Sequence, residues 1–358
     1  MKRWLLALIL IAMLAALYSC QDGMPANTTS GSVTDTPIST ETNQTADTAA
    51  PDAAAEADIN KTEFVIYEDR ICFISKTSPE VQTMFADAVN ALFRSLPEGM
   101  CTYLMIVPMR IAFEVPEVQA LSSDQKAEIK NIYTVMDSSV TLVDVYYTLS
   151  QYAANLNDIY YRTDHHWTHL GSYYAAQAFF EAAGIPYHKI DEYETHDGGE
   201  FLGYLEDLAN DPYFYDKPDS FIYYTLPGIN RETWVYNKNV ETGELEKTVT
   251  TLFDETRDGF ERFIGKNGFS HAVIFGDQNS DRALLLMGDS FSFSITTWFA
   301  DSFHTIISID PRYFEGGKES LNALIDEYNV TDALVLVSTS DSAALITYFS
   351  YDVQQLTR

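Results

Sequence analysis

The sequence predicts an α/β protein in which helices cover both faces of a parallel sheet, with a small β-rich insertion. Three observations lead to this prediction. Largely apolar runs, such as residues 102–107 and 332–337, have the composition of strands buried on both faces. Segments with helical spacing or helix-capping residues lie between these runs. Strands and helices that alternate along a chain indicate a parallel sheet between two helical layers.

The first half of the folded region opens with a hairpin pattern and continues with helices and strands in turn. Residues 64–75 alternate and end at a turn signal, which predicts a hairpin or paired strands. Residues 79–96 carry apolar side chains at helical spacing. The remaining predicted elements of this half are a strand at 102–107, a capped polar helix at 122–136, a strand at 140–147, and helices at 149–155 and 171–183.

The second half contains the predicted insertion, from residue 187 to about residue 270. Pro, Gly, Tyr and Asp are frequent there, and the strand candidates are short, which predicts a small β element over one end of the sheet. The alternation then returns at residue 283. The predicted elements are strands at 284–287, 305–309 and 332–337, and helices at 291–303, 318–328 and from Ser342 onward.

The N-terminus reads as a targeting signal rather than as part of the fold. Lys2 and Arg3 precede an apolar stretch of residues 4–17, which is shorter than the roughly 20 residues a spanning helix needs. Leu17-Tyr18-Ser19-Cys20 resembles a bacterial lipobox, in which the cysteine is lipidated. We therefore expect a signal peptide at residues 1–19, a lipid on Cys20, and an extracytoplasmic protein anchored to the cell membrane. An uncleaved anchor helix is the alternative.

Residues 20–60 hold almost no large apolar side chains and predict a disordered acidic tether, which leaves 61–358 as the folded domain. The whole chain has a net charge of −30, and residues 61–358 carry 45 acidic against 20 basic residues. Because phosphate binding needs a surplus of Lys and Arg, this balance argues against nucleic-acid binding. Cys72 and Cys101 adjoin apolar runs, and a disulfide between them stays open from sequence.

Two groups of polar residues suggest a nucleophilic site. Ser290 lies between a predicted strand and a predicted helix, at the carboxyl edge where open α/β sheets bind ligands. A serine hydroxyl needs a base to take its proton, and a histidine oriented by a carboxylate is the usual one. His166 and Asp164 offer such a pair from a single loop. The prediction requires two loops that are far apart in sequence to meet.

The run Asp164-His165-His166-Trp167, together with the later Gly288-Asp289-Ser290-Phe291, resembles the DHHW protein family. That family is similar to SGNH-hydrolase-like acyltransferases, including the alginate O-acetylation proteins. Asp310-Pro311-Arg312-Tyr313 also matches a DxRY stretch. The resemblance implies a three-layer, flavodoxin-like SGNH fold, with Ser290 as nucleophile, His166 as base and Asp164 orienting the imidazole.

The resemblance further implies O-acetyl transfer or ester hydrolysis on an envelope or exported polysaccharide, with a membrane-bound O-acyltransferase as a possible partner. Phe293 stands where the family pattern has Asn, and Gly288 where Lys is common. The oxyanion donors are therefore predicted to be the Ser290 backbone N–H and, second, Asn279. The remaining candidates for contact with the substrate are Arg312, Trp167 and His165; an ion pair for Arg312 and a core position for Trp167 are the alternatives.

Two other interpretations compete with this one. Asp164, His165, His166 and His169 offer metal ligands, but neither an HExxH motif nor a Cys ligand joins them, so we expect no metal and no cofactor. The departure at Phe293 also fits a non-catalytic envelope binding or assembly module on the same fold. An acidic body suits a neutral or amino-bearing glycan better than a polyanion.

Overall fold

A computed structural model describes residues 64–264, 268–314, 316–339 and 353–357. The signal peptide, the tether, Cys20 and most of the helix predicted from Ser342 lie outside the described residues. The strands are β1 Phe64–Tyr67, β2 Arg70–Phe73, β3 Cys101–Val107, β4 Val140–Val143, β5 Glu194–Phe201, β6 Asp219–Thr225, β7 Glu232–Lys238, β8 Leu245–Thr251, β9 His271–Phe275, β10 Ala283–Gly288, β11 Thr305–Ile309 and β12 Asp332–Ser338.

The helices are distributed along the whole described chain. They are α1 Pro79–Ser95, α2 Pro116–Gln119, α3 Gln125–Thr134, α4 Val145–Ser150, α5 Leu156–Ile159, α6 His169–Ala183, α7 Tyr204–Ala209, α8 Pro212–Tyr215, α9 Ser292–Phe299 and α10 Gly317–Tyr328. Short 3-10 turns occur at Arg110–Phe113, Ala153–Asn155, Ile190–Glu192 and Gly259–Arg262. Among the described residues, no helix is long and apolar enough to cross a membrane.

The central sheet has eight strands in the order β4-β3-β12-β10-β11-β9-β7-β8. The five strands from β4 to β11 are mutually parallel, and β9, β7 and β8 continue the sheet in antiparallel fashion. Strands β10 and β12 are neighbours, with Gly288 paired to Leu336. The carboxyl ends of these two central strands therefore lie side by side, and Ser290 follows one of them.

Alternate residues of the central strands enter two separate hydrophobic cores. Leu284 and Leu286 of β10 belong to the core that includes α6 and α9, whereas Leu285 and Met287 belong to the core that includes α1, α3 and α10. This period of two is what a strand buried on both faces requires. The predicted arrangement of a mostly parallel sheet between two helical layers is thereby confirmed.

The main differences from the sequence-based prediction are local. The strand predicted at 140–147 ends at Val143, because Asp144 caps helix α4 by accepting a hydrogen bond from the Tyr147 backbone N–H at 2.9 Å. The strands predicted in the insertion belong to two different sheets. β6 pairs with β5 as a separate two-stranded sheet, whereas β7 and β8 extend the central sheet. Cys72 and Cys101 are both free thiols, the first buried and the second exposed.

Candidate active site

The loop that carries Asp164 and His166 is fixed at its base. Tyr160 and Trp167 form an isolated antiparallel bridge, and the backbone N–H of Tyr161 donates to the carbonyl oxygen of His166, so the chain reverses within this segment. The buried Asp219 accepts hydrogen bonds from the backbone N–H and the hydroxyl of Thr163, at 2.8 and 2.7 Å. These bonds hold the residue immediately before Asp164.

The turn that carries Ser290 is tied to the neighbouring strand. Asp289 accepts a hydrogen bond from the Phe291 backbone N–H at 3.0 Å, which closes the turn. Its second carboxylate oxygen accepts bonds from the backbone N–H and the hydroxyl of Ser338, at 2.7 and 2.8 Å, at the end of β12. Asp289 therefore anchors the turn, and Ser290 is the residue of this pair that reaches the cleft.

Buried hydrogen bonds from helix α6 and from Trp167 just before it to helix α9 bring the two loops together. The Trp167 indole N–H donates to the Ser294 hydroxyl at 2.8 Å, and the Trp298 indole N–H donates to the Ser172 hydroxyl at 2.9 Å. The fully buried His169 bonds through Nε2 to the Thr297 hydroxyl at 2.7 Å. These contacts fix the segment that follows Asp164 and His166 against the helix that follows Ser290.

The three predicted site residues form one chain of hydrogen bonds. His166 Nδ1 lies 2.6 Å from Asp164 Oδ1, and His166 Nε2 lies 2.7 Å from Ser290 Oγ. With Nδ1 protonated and donating to the carboxylate, Nε2 is left to accept the proton of the serine hydroxyl. Asp164 and His166 are 5% and 6% exposed, so these bonds lie in a largely desolvated place while Ser290 is partly open to the cleft.

The carboxylate of Asp164 is held in its ionised form. Burial alone would raise the pKa of Asp164, but the neighbouring His166 and His165 rings and the hydrogen bonds from His166 hold it well below its usual range. Asp164 Oδ2 also accepts the Tyr204 backbone N–H at 2.9 Å. Glycine is required just before Tyr204, because a Cβ on Gly203 would lie 2.2 Å from the Cβ of Asp164.

A cleft of about 480 Å³ opens over Ser290 and His166. Much of its wall comes from the segment predicted as the insertion. Phe260 stacks on the His166 ring, with 4.0 Å between centroids and 13° between planes. The wall residues from the insertion are Phe201, Leu202, Gly203, Tyr204, Asp207, Asp258, Phe260 and Glu261. None of these residues was predicted as a site residue, since they follow no motif or periodic pattern.

Comparisons with known proteins identify the family of the chain. The family model described as DHHW protein matches residues 27–309. The chain belongs to the DHHW protein family. No curated protein matches the chain.

Solved structures show the same fold. A DHHW family protein from Eubacterium siraeum is similar, with a TM-score of 0.67 and 22% identity over 79% of this chain and 94% of that one. Bacillus cereus PatB1 is similar with a TM-score of 0.62 and 17% identity over 78% and 98% of the two chains. A structure of PatB1 with a sulfonyl adduct gives a TM-score of 0.61 at 15% identity over 78% and 94%. The SGNH-like fold predicted from the motifs is thereby confirmed.

Two of the predicted site residues of this DHHW protein lie elsewhere. Asn279 is exposed in the turn between β9 and β10 and bonds to Asp277. That turn lies at the amino end of β10, whereas Ser290 follows its carboxyl end, so the prediction of Asn279 as an oxyanion donor is wrong. Trp167 is fully buried and bonded to Ser294, so it is a core residue and its predicted substrate contact is wrong.

The other candidates of the DHHW protein do line the cleft. None of the hydrogen bonds among the described residues uses the backbone N–H of Ser290, which is therefore suited to bind an oxyanion. Phe293 lines the cleft but offers no donor. Arg312 lines it too and forms a bidentate ion pair with Asp310, through Nε at 2.9 Å and Nη2 at 2.6 Å. The ion pair that was the alternative prediction for Arg312 is therefore present.

The histidines of the motif differ in what they can bind. His165 lies against His166, with 4.0 Å between ring centroids, and burial lowers its pKa to about 3, so it stays neutral. His169 bonds through both ring nitrogens, to Thr297 and to the backbone N–H of Tyr224, so it cannot join a metal site. Ligand atoms of Asp164, His165 and His166 lie within 4.8 Å of one another, but Asp164 Oδ1 and both His166 nitrogens already serve the chain to Ser290.

Proposed function

We propose that this protein is an extracytoplasmic serine O-acyltransferase or carbohydrate esterase, anchored to the membrane by a lipid on Cys20. We infer that it moves or removes acetyl groups on an envelope or exported polysaccharide. The observation that carries the proposal is the chain Asp164–His166–Ser290, with distances of 2.6 and 2.7 Å. A buried carboxylate, an imidazole and a serine at these distances are the parts that acyl transfer through an acyl-serine requires.

The reaction follows from the positions of these atoms. Ser290 Oγ attacks the ester carbonyl carbon while His166 Nε2 takes the hydroxyl proton, and the ionised Asp164 stabilises the imidazolium. The Ser290 backbone N–H binds the oxyanion. Collapse of the tetrahedral intermediate breaks the ester C–O bond, and His166 returns the proton to the departing alcohol. A second hydroxyl, from a sugar or from water, then attacks the acyl-serine while His166 takes its proton. Collapse of this second intermediate breaks the bond from the acyl carbon to Ser290 Oγ, and His166 returns the proton to Oγ.

The form of the cleft supports a glycan substrate. It is broad enough for part of a chain, and aromatic residues form several of its walls. Asp207, Asp258 and Glu261 also border it, and Arg312 is already paired with Asp310. Because these charges disfavour a polyanion, a neutral or amino-bearing polysaccharide is the preferred substrate. A membrane-bound O-acyltransferase is the partner that we propose as the acetyl donor.

The test is release of p-nitrophenol from its acetate ester. We expect Ser290→Ala and His166→Ala each to reduce kcat/KM by at least about 1,000-fold, since both act as parts of one unit. His188→Gln is the matched control, because this exposed histidine bonds to Glu192 and does not line the cleft, so we expect kcat/KM to stay unchanged. Equal activity in the unmodified protein, Ser290→Ala and His166→Ala would remove the catalytic assignment.

A non-catalytic binding or assembly module is the second candidate. It is favoured by Phe293, which lines the cleft at the position where the family pattern has a donor side chain. In that case the oxyanion would have one backbone donor from this turn and no side-chain donor from residue 293. The same assay distinguishes the two, because a module with a lapsed site should release p-nitrophenol no faster than its Ser290→Ala variant.

A further inference from the structure

The His166 imidazole lies between two other rings. Phe260 covers one of its faces, with 4.0 Å between centroids and 13° between planes. The centroid of the His165 ring is also 4.0 Å away, with 36° between planes. Two rings on the same side of an imidazole, each this close to its centroid, would contact one another. No ring contact joins His165 to Phe260 among the residues that the structure describes, so the two rings lie on opposite sides of His166.

Phe260 has a fixed place over the imidazole. It lies in the 3-10 turn Gly259–Arg262 of the insertion, and its ring meets the fully buried Phe263 edge-on, with 5.5 Å between centroids and 79° between planes. Phe263 in turn forms an isolated antiparallel bridge with Phe253. These contacts tie the turn to the segment before it, so the ring of Phe260 is held against His166.

His165 places a ring without a charge on the other side. Burial, followed by the neighbouring His166, lowers the pKa of His165 to about 3, so the ring is neutral at ordinary pH. Its Nδ1 is buried and has no hydrogen-bond partner in the described part of the chain, so its ring contact is what joins it to the site. A neutral ring can stay in contact when His166 becomes positively charged, whereas a second cation at this distance would repel it.

The proposed acyl transfer gives His166 a positive charge twice, each time it takes a proton from a hydroxyl. The face of an aromatic ring attracts a cation within about 6 Å of its centroid, and the attraction is larger where water is excluded. Phe260 lies within that distance, and His166 is only 6% exposed. An aliphatic side chain of similar bulk would also exclude water from this face, but it would not attract the imidazolium.

We propose that Phe260 and His165 are positioning residues of the acyl-transfer site. They hold the His166 imidazole between them, and Phe260 stabilises the imidazolium that forms in each half of the reaction. No bond forms or breaks at either ring, because the proton moves only between the reacting hydroxyls and His166 Nε2. The inference rests on the proposed function, since it concerns the base of that reaction, and it makes part of the insertion a component of the site.

The test separates the ring of residue 260 from its bulk. Phe260→Leu keeps an apolar side chain and removes the ring, whereas Phe260→Tyr keeps the ring. We expect kcat/KM for p-nitrophenyl acetate to fall about 5- to 30-fold in Phe260→Leu and to stay within about twofold of the unmodified protein in Phe260→Tyr. Phe214→Leu is the matched control, because Phe214 is a fully buried ring of the insertion that belongs to a separate core and does not line the cleft. It should lower the thermal midpoint and leave kcat/KM unchanged.

A second pair of variants tests the opposite side of the imidazole. His165→Phe keeps an uncharged ring and should keep kcat/KM within about threefold of the unmodified protein. His165→Leu removes the ring and should lower kcat/KM further than His165→Phe does. If Phe260→Leu does not fold, this pair decides the outcome.

The results that would overturn the inference differ from those that would overturn the proposed function. An active protein in which folded Phe260→Leu is as active as Phe260→Tyr overturns the inference alone, as does an equal loss of activity in Phe214→Leu. Equal activity in His165→Leu and His165→Phe removes His165 from the positioning residues. An unmodified protein that is no faster than Ser290→Ala overturns the proposed function, and the inference falls with it.

Discussion

Gly203 gives the sharpest test of how the candidate site is held together. Its backbone, with φ −98° and ψ 178°, is one that alanine adopts without strain, so Gly203→Ala tests space rather than conformation. An added Cβ would lie 2.2 Å from Asp164 Cβ and 2.5 Å from Asp164 Oδ2. Ordinary contact begins at about 3.4 Å, so the two segments must separate by roughly 1 Å.

That displacement has a calculable effect on catalysis. It would break the 2.9 Å hydrogen bond from the Tyr204 backbone N–H to Asp164 and shift the carboxylate that orients His166. A misplacement of about 1 Å costs about 100-fold in rate, or about 2.7 kcal/mol of activation free energy. We therefore expect kcat/KM for p-nitrophenyl acetate to fall about 100-fold, with a loss of about 1–3 kcal/mol in stability from overpacking.

Gly198→Ala is the matched control for crowding. A Cβ there would lie 2.7 Å from a ring carbon of Phe221, in the β5–β6 sheet, and its three nearest atoms belong to Phe221 and Tyr223 rather than to Asp164. It should lower the thermal midpoint and leave kcat/KM unchanged. Folded Gly203→Ala that retains kcat/KM to within about threefold of the unmodified protein, or an equal loss of activity in Gly198→Ala, would show that crowding at Asp164 does not control catalysis.

Three further changes have defined outcomes. Asp164→Asn should keep the fold and lower kcat/KM about 1,000- to 10,000-fold in the same assay, because an amide cannot hold the imidazole as the carboxylate does; activity within tenfold would contradict the role of Asp164. Burial raises the pKa of Glu128 from 4.5 to about 7. The folded protein therefore has its full stability below pH 4.5, where Glu128 is protonated in both states, and loses stability as the pH rises through about 7 and the buried carboxyl ionises. Glu128→Gln should therefore add about 3 kcal/mol to the free energy of unfolding at pH 8 and little at pH 4, measured by urea denaturation; equal pH dependence in both proteins would contradict this. Trp167→Phe should lose about 1–3 kcal/mol of stability by leaving the Ser294 hydroxyl unpaired, and an unchanged urea midpoint would show that the bond contributes nothing.

The sequence predicted the sheet well where strands are buried on both faces. The strands at 305–309 and 332–337 follow the predicted bounds closely, because every residue in them is buried and their apolar side chains enter one or the other of two cores. The strand at 140–147 was predicted too long, because Val145 and the tyrosines after it have strand propensity. The cap at Asp144 outweighs that propensity and starts a helix.

The sequence predicts the reacting residues of the candidate site but not the residues that form the walls of its cleft. Ser290 follows from its place after a buried strand, and His166 from the motif. Asn279 failed because β9, which was not predicted, runs antiparallel to β11 and carries the next turn to the other edge of the sheet. Gly203 and Phe260 were missed because their roles depend on contacts with a loop about 40 and 90 residues away, and local pattern carries no such signal.

The four residues of the DHHW motif have different roles in this fold. Asp164 and His166 hold the hydrogen-bond chain to Ser290, His165 packs beside it as a neutral ring, and Trp167 is an anchor that bonds to the α9 helix. His166 and Ser290 are 124 positions apart in sequence, yet they stand at 2.7 Å. A hydroxyl and a base must be placed to within about 0.5 Å to react, which two unsupported loops could not maintain. The buried bonds from the α6 region to α9 supply that rigidity, so Trp167 acts on the proposed chemistry through position alone.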